Sequence, residues 1–319
     1  MKMRAIVFEK YGSPDVLELR EVDRPSPGAN EVLVEVFAAS VNAYDWHLVR
    51  AKPFLVRLGG MGFFKPNNTG TGADLAGRVA EVGPGVEGFK VGDDVYGEVS
   101  QGAFAEYVCV KENQLAPKPE SLSFEEAAAV PMAGVTALQG LRDIGGLKSG
   151  QQVLINGASG GVGTFGVQIA KAMGAVVTAV CSSAKADQAR DLGADHVIDY
   201  TREDFTKSGR QYDLILGVNG FQPLSAYKRA LTKDGSYVMA GGTNAQIFQA
   251  LLLGGFSKRT KLVSSKVKES DLLHLCELIK AGQVKPVIDR RYPLEQVPDA
   301  IAYVDEGHAS GKVVITVKE

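Results

Sequence analysis

The run Val153-Leu154-Ile155-Asn156-Gly157-Ala158-Ser159-Gly160-Gly161-Val162-Gly163 holds the residues whose spacing points most directly to chemistry. A short apolar segment ends in small residues and opens an alanine-rich amphipathic stretch, Thr164 to Met173. Strand, turn and helix in that order present backbone N–H groups at a helix N-terminus, where a pyrophosphate is held. Ala158 stands at the first glycine position of the dinucleotide fingerprint, followed by Gly160 and Gly163. Gly160 lets the backbone approach a phosphate, and Gly163 lets the helix pack closely on the strand. Ser159, Gly160, Gly161 and Val162 are therefore the candidate cofactor-binding residues of the turn.

Which dinucleotide is read at the end of the next strand. NAD enzymes carry an acid about 20 residues past the glycine turn to bind the ribose hydroxyls. Here the strand ends Ala179-Val180-Cys181-Ser182-Ser183-Ala184-Lys185, with no carboxylate before Asp187. An acid repels the extra phosphate of NADPH, whereas hydroxyls and an ammonium attract it. The expectation is NADPH, with Ser182 and Lys185 at the phosphate; the other reading of Lys185 is a solvated lysine at a helix start.

The elements that position these residues follow two rhythms. In the first third, Val32–Phe37 alternates apolar and charged residues and Leu75–Val82 does so loosely. Val95-Tyr96 and Phe104–Val110 add short strands between glycine turns, which suggests a barrel-like fold. Ser123 and Glu126 form a Ser-x-x-Glu capping signal ahead of a helical stretch to Val130. From residue 153, strand candidates at 153–156, 176–180, 196–200, 214–218 and 236–240 alternate with helical stretches at 164–173, 184–192, 203–207 and 223–231. That alternation predicts a parallel sheet covered by helices on both faces. Leu262–Val267 is a candidate sixth strand. After Asp271 come a helix over 272–281, a strand over 284–292, a helix over 296–304 and a last strand over 312–317. That strand is expected to return to the first domain, which makes the nucleotide domain an insertion.

Composition narrows the partners. The 319 residues are 45% hydrophobic and 23% charged with a formal charge of −2, which gives no reason to expect nucleic acid or an anionic membrane. Cys109, Cys181 and Cys276 form no CxxC pair, so a reducing compartment is expected. No signal peptide is visible before the strand-like Ala5–Phe8, and the most apolar stretches, 54–64 and 247–256, are shorter than a bilayer span. A cytoplasmic protein is the expectation. The 54–64 stretch reads either as core or as an apolar substrate mouth.

Further segments carry a family resemblance: Ala39-Ser40-Val41-Asn42-Ala43-Tyr44-Asp45-Trp46; Gly72 to Gly97 with its Val82-Gly83 and Gly92-Asp93 turns; and Ala128, Val130-Pro131, Gly134 and Thr136-Ala137. Asn156 to Gly163, Leu192-Gly193-Ala194-Asp195, Asp199-Tyr200 and Gly307-His308-Ala309-Ser310-Gly311-Lys312 extend it nearly end to end. The chain resembles the medium-chain dehydrogenase/reductase superfamily, in its zinc-independent quinone oxidoreductase branch, and is similar to the chloroplast-envelope quinone-oxidoreductase-like group.

The resemblance implies an α/β protein: a GroES-like β-barrel catalytic domain (1–122 and 271–319) split around a Rossmann doubly wound parallel sheet (123–270), with the active site in the cleft between them. It places Asn42 and Asp45 near nicotinamide and substrate, Asn42 positioning the carboxamide or the carbonyl oxygen; a turn residue and a helix cap are the plainer readings. Tyr44 is a donor or an aromatic wall. Ser182, Lys185 and Tyr200 surround the extra phosphate of NADPH, and Thr136 sits near the nicotinamide half. Asn219, Gly241 and Gly242 follow strands at the ligand-binding ends, or are ordinary loop residues. Lys312 reaches the cleft or solvates the last strand. Zinc relatives place a cysteine near Asn42 and Gly-His-Glu at Gly72-Ala73-Asp74, so no metal site is expected.

The activity so implied is NADPH-dependent, zinc-independent hydride transfer to a quinone or an α,β-unsaturated carbonyl, that is, to a small apolar electrophile. Alternatives are a zinc-free alcohol or aldehyde dehydrogenase, and an NADPH-binding redox-sensing or structural protein with little turnover. Pairing of Rossmann sheet edges across a homodimer is also implied.

Overall fold

The computed structural model describes residues 1–51, 62, 64–218, 222–241 and 259–318. The chain divides into two compact units: Met1–Met132 with Val267–Lys280 and Pro286–Glu319, and Ala133–Lys266 with Ala281–Lys285. In chain order the strands of the first unit are β1 (Lys2–Val7), β2 (Glu18–Asp23), β3 (Glu31–Val41), β4 (Asp74–Val82), β5 (Asp94–Glu98), β6 (Tyr107–Lys111) and β7 (Leu115–Pro117). Those of the second are β8 (Gln152–Asn156), β9 (Val176–Cys181), β10 (His196–Asp199), β11 (Tyr212–Gly217), β12 (Leu231–Met239) and β13 (Thr260–Leu262). Two more, β14 (Ile288–Pro293) and β15 (Lys312–Thr316), close the first unit. The helices used below are α1 (Ala43–Arg50), α2 (Phe124–Ala128), α3 (Pro131–Leu138) and α4 (Gly161–Ala172).

In the first unit the long strand β3 organises the sheet. It lies antiparallel to β4 along its length, to β6 over its first half and to β15 over its second. The sheet order is β14-β15-β3-β4-β5-β7 with β6 on β3, and β1 and β2 form a separate antiparallel pair. Register shifts between Leu33 and Val34 and between Val36 and Ala38 bend β3, which re-aims its end. Its alternating apolar residues Val32, Val34 and Val36 are fully buried with Leu75, Val95, Phe104 and Ile315. The last strand does return to this sheet, pairing Val313 with Val41 and Thr316 with Ala38.

The second unit is an all-parallel sheet in the order β10-β9-β8-β11-β12-β13. The central strands are buried through both faces, as Val153, Leu154, Ile155 and Ile215 illustrate. The order reverses between β8 and β11, so the carboxyl end of β8 lies at the switch point where such sheets bind ligands.

Two strand expectations shift, both for one reason. The sixth strand is Thr260–Leu262 and not 262–267: beyond Val263, the Lys266 N–H and C=O are both taken by the Gln139 side-chain amide. The strand expected from 284 begins at Ile288, because Gln168 takes the Lys285 N–H and C=O in the same manner. Each glutamine occupies backbone groups that a neighbouring strand would otherwise use. The helix expected over 203–207 is a single 3-10 turn, Phe205–Lys207, capped by Asp204. After α3 the chain widens into a π-helical turn, Gln139–Ile144, which sequence periodicity did not indicate. Among the described residues no helix is long and apolar enough to cross a membrane.

Candidate active site

Strand register in the first unit gathers polar residues that lie far apart in sequence. Val314 pairs with Ser40, Ser40 with Asp74 and Asp74 with Glu98, so one line crosses β15, β3, β4 and β5. Lys312 opens β15, and Asn42 follows the end of β3 in extended conformation as the N-cap of α1. Asp45, third in α1, accepts the Asn42 backbone N–H at 2.7 Å. Both plainer readings of these residues therefore hold locally: Asn42 sits at a turn and Asp45 caps a helix.

Asn42 is fully engaged by the sheet. Its Nδ2 donates to Asp74 Oδ2 at 2.9 Å and to the Ser40 carbonyl at 3.3 Å, and its Oδ1 accepts from Lys312 Nζ at 2.5 Å. Both amide hydrogens are committed. Asp74 also accepts from Ser40 Oγ at 3.0 Å, from the Met132 N–H at 3.0 Å and from Lys312 at 3.3 Å. Lys312 is only 3% exposed, so it does not solvate the last strand. An ammonium so buried requires its carboxylate and amide partners.

Among the described residues, three carboxyl groups, Asp45, Asp74 and Glu98, feel the Lys312 ammonium, and Asp74 touches it. Burial pushes the Asp45 carboxyl up to about 7, with Asp74 adding to the rise and the Asn42 and Gly72 N–H groups and Lys312 opposing it. Asp45 Oδ2 takes the Asn42 hydrogen bond, while Oδ1 is buried without a full one. Burial likewise pushes Glu98 up to about 8, helped by Asp74 and Asp45 and opposed by Lys312. Tyr44 is 39% exposed and donates to the Ser100 carbonyl at 3.2 Å. Its phenol is raised by burial and by Asp45 and Glu98. Sequence reasoning missed Glu98 and gave Asp74 no role of its own. Pairing register alone brings them to Asn42.

In the second unit, the turn after β8 is tied to β9 by the Gly157 and Ala158 N–H groups, which both donate to the Val180 carbonyl. Gly160 is the N-cap of α4, and Ser159, Gly160, Gly161 and Val162 are partly exposed at that helix start. A Cβ on Gly163 would stand 2.0 Å from the Gly157 carbonyl oxygen, so only glycine permits this approach. A Cβ on Gly160 would meet nothing closer than 3.8 Å. That opening lies beside the first unpaired N–H groups of a helix, which attract an anion such as a phosphate.

At the carboxyl ends of β9 and β10, Ser182, Lys185 and Tyr200 are brought together. The Lys185 N–H donates to the Ser182 carbonyl at 3.0 Å, and the Tyr200 N–H to the Cys181 carbonyl at 3.2 Å. The Tyr200 ring is 64% exposed. A carboxylate does reach this corner from the neighbouring strand: Asp199, paired with Cys181, accepts from Ser183 Oγ and from Thr201 N–H and Oγ1, with Arg202 at 3.4 Å. Reading along β9 alone could not find it. Those hydroxyl and N–H donors hold Asp199 below the usual carboxylate range.

Thr136 is buried, its Oγ1 donating to Ser265 Oγ at 3.0 Å. Gly241 follows β12 and its N–H donates to the Gly217 carbonyl at 3.1 Å. Asn219 and Gly242 lie outside the described residues, as do most of the 54–64 stretch and the apolar run 247–253.

Residues 28–120 match the family described as the alcohol dehydrogenase GroES-like domain, and residues 192–315 the family described as zinc-binding dehydrogenase. A chloroplast envelope quinone oxidoreductase homolog of Arabidopsis thaliana is 35% identical over 330 residues, spanning 98% of this chain and 98% of that one. The chain belongs to the medium-chain dehydrogenase/reductase superfamily. It is an oxidoreductase of a nicotinamide-dependent family, on the quinone oxidoreductase-like side. A 2-methylene-furan-3-one reductase of Solanum lycopersicum is 37% identical over 332 residues, spanning 98% of this chain and 79% of that one. Among solved structures, the quinone oxidoreductase of Coxiella burnetii superposes with a TM-score of 0.90 at 29% identity, covering 100% of both chains. The Escherichia coli quinone oxidoreductase complexed with NADPH gives 0.83 at 26% identity, covering 98% of this chain and 100% of that one.

The family description raises zinc, and the residues do not fit it. Among the described residues no group of three or more His, Cys, Asp or Glu is placed to hold a metal ion. At the position where zinc relatives carry ligands, Asn42 and Asp74 are instead bound to each other and to Lys312. The residues are compatible with a dinucleotide: Gly160 leaves the N-terminus of α4 open on the side where such a helix binds a phosphate.

Proposed function

We propose that the protein transfers hydride from NADPH to a quinone or an α,β-unsaturated carbonyl without a metal. The observation that carries this reading is the Lys312–Asn42–Asp74 network, which fills the zinc position with an internal ion pair. Without a strong Lewis acid, the acceptor must be activated by its own conjugation, as quinones and enones are. The names of the Arabidopsis and Solanum relatives, a quinone oxidoreductase homolog and a methylene-furanone reductase, support the same pair of acceptors.

When bound, NADPH supplies the hydride. Ser159, Gly160, Gly161 and Val162 would hold its pyrophosphate, with Ser182, Lys185 and Tyr200 on the extra phosphate and Thr136, Asn219, Gly241 and Gly242 along the nicotinamide half. The NADPH-bound Escherichia coli neighbour supports this choice over NADH. Asp199 does not overturn it, because its charge is met by Ser183, Thr201 and Arg202. Asn42 has no spare N–H for a substrate carbonyl. Asn42, Tyr44 and Asp45 then act by positioning, with Lys312 fixing Asn42. In this reading the GroES-like domain is 1–122 with 271–319, and the dinucleotide domain is 123–270.

A second reading, an alcohol or aldehyde dehydrogenase, is favoured by the descriptions of both matched families. Steady-state rates against quinones, enones and aldehydes, with bound metal measured on the same sample, separate the two. Turnover confined to saturated aldehydes, or to metal-loaded protein, would reject the proposal. A homodimer through the edge strand β13 belongs to the same reading, and elution as a monomer at micromolar concentration would reject that part.

A further inference from the structure

Reduction of either acceptor needs a proton as well as a hydride, and none of Asn42, Asp45 or Lys312 is free to deliver one. Asn42 has both amide hydrogens bound, Asp45 is fully buried behind its cap, and Lys312 is held by Asn42 and Asp74. Glu98 differs from all three. It ends β5 directly opposite Asp74, it is half-buried, and its side chain makes no hydrogen bond or ion pair among the described residues. We propose that Glu98 is the acid that donates the proton to the reduced acceptor, with Asp45 and Asp74 keeping it protonated.

The claim rests on the reductase reading above and deepens it. Hydride addition leaves negative charge on a phenol-type or enol-type oxygen. The O–H bond of Glu98 breaks, a new O–H bond forms on that oxygen, and the Glu98 carboxylate recovers its proton from water. A phenolate-type oxygen, whose conjugate acid has a pKa of about 10, takes a proton readily from a stronger acid such as a neutral carboxyl group.

The surroundings favour the neutral acid. Asp74 on β4 and Asp45 on α1 face Glu98 with like charge, and burial adds to them; Lys312 on β15 opposes. Tyr44 on α1 feels Glu98 and Asp45 but donates its hydroxyl to Ser100. Helix α2, which also packs on β5, contributes Glu125, and that carboxylate is spent on Arg291 and Thr316. Neighbouring strand β7, Leu115-Ala116-Pro117, brings no charge. Among the described residues, Glu98 thus sits by two carboxyls with Lys312 as their shared ammonium, and Asp45 Oδ1 is a second buried oxygen there without a full hydrogen bond.

The test is kcat for NADPH-linked reduction of a cyclic enone and of a benzoquinone between pH 6 and 9.5, in wild type, Glu98→Gln and Glu98→Asp. NADPH affinity and melting temperature are measured on each. Wild-type kcat should fall with rising pH above about 8. Glu98→Gln should lose ~10²-fold in kcat at pH 7, lose that limb, and keep its NADPH affinity. Glu98→Asp should keep a limb at a shifted pH. Wild-type rates and an unchanged limb in Glu98→Gln would overturn the proposal while leaving the reductase reading intact. So would a loss confined to KM or NADPH affinity, or a Glu98→Asp profile without any limb. Absence of turnover by wild type with both acceptors would overturn the reductase reading itself, and this proposal with it.

Discussion

The Lys312 ammonium, on the last strand, lies 2.5 Å from Asn42 Oδ1 at the end of β3, 270 residues earlier in the chain. This contact fixes the orientation of the Asn42 amide, because an ammonium can only donate and must face the oxygen. It also joins the C-terminal strand to the residue that starts α1.

Removing the ammonium should therefore disturb both folding and cofactor positioning. Lys312→Met leaves Asp74 buried without its cation and should cost ~3–5 kcal/mol of unfolding free energy. Adding Asp74→Asn should recover part of that loss. Urea denaturation of the two single variants and the double variant measures it, and strictly additive losses would mean the pair is not coupled.

The two raised carboxyls have a stability consequence of definite sign. Their folded values, about 7 for Asp45 and about 8 for Glu98, exceed those of the unfolded chain, so the fold binds extra protons. That stabilisation is full below the unfolded carboxylate range and is lost as pH rises through the folded values. The melting temperature should fall between pH 5 and pH 9. Glu98→Gln should melt higher than wild type at pH 9 and show no such gain at pH 5; equal offsets at both pH values would contradict the assignment.

The two glycines of the nucleotide turn should separate binding from folding. Gly160→Ala places its methyl in open space, so melting should be unchanged while KM for NADPH rises tenfold or more. Gly163→Ala drives a methyl into the Gly157 carbonyl and should lower both stability and binding. Thermal melts with and without NADPH distinguish them.

At the ends of β9 and β10, charge should decide the cofactor. Lys185→Glu adds a second carboxylate beside Asp199 and should raise KM for NADPH by ~10–100-fold while sparing or improving NADH. Comparable turnover with both cofactors, unchanged by this substitution, would count against NADPH selectivity.

Local features were legible in the sequence, and features made by strand pairing were not. The turn at 156–163 is a single strand-turn-helix unit, so its spacing carries the whole signal. Asn42 and Asp45 stood out in a contiguous segment. Asp74 and Glu98 meet Ser40 only through the register of three strands; Gly72-Ala73-Asp74 stood out only as a place where zinc ligands are missing, and nothing in its flanks marks Glu98. Lys312 was open between two readings because its burial depends on a pairing with β3 that periodicity cannot supply. Asp199 was overlooked because a search along β9 does not reach the adjacent strand. The ends of β13 and β14 moved because Gln139 and Gln168 occupy backbone groups more than a hundred residues away.

Whether NADPH delivers hydride to a conjugated acceptor without a metal is decided by following the hydride itself. The purified protein is treated with a chelator and given NADPH deuterated on the transferred position, with an α,β-unsaturated aldehyde as acceptor. Both reducible bonds are then present in one molecule. Deuterium is expected on the β-carbon of the saturated aldehyde. Deuterium on the former carbonyl carbon of an alcohol would contradict it, as would NADPH left unconsumed with both this substrate and a benzoquinone.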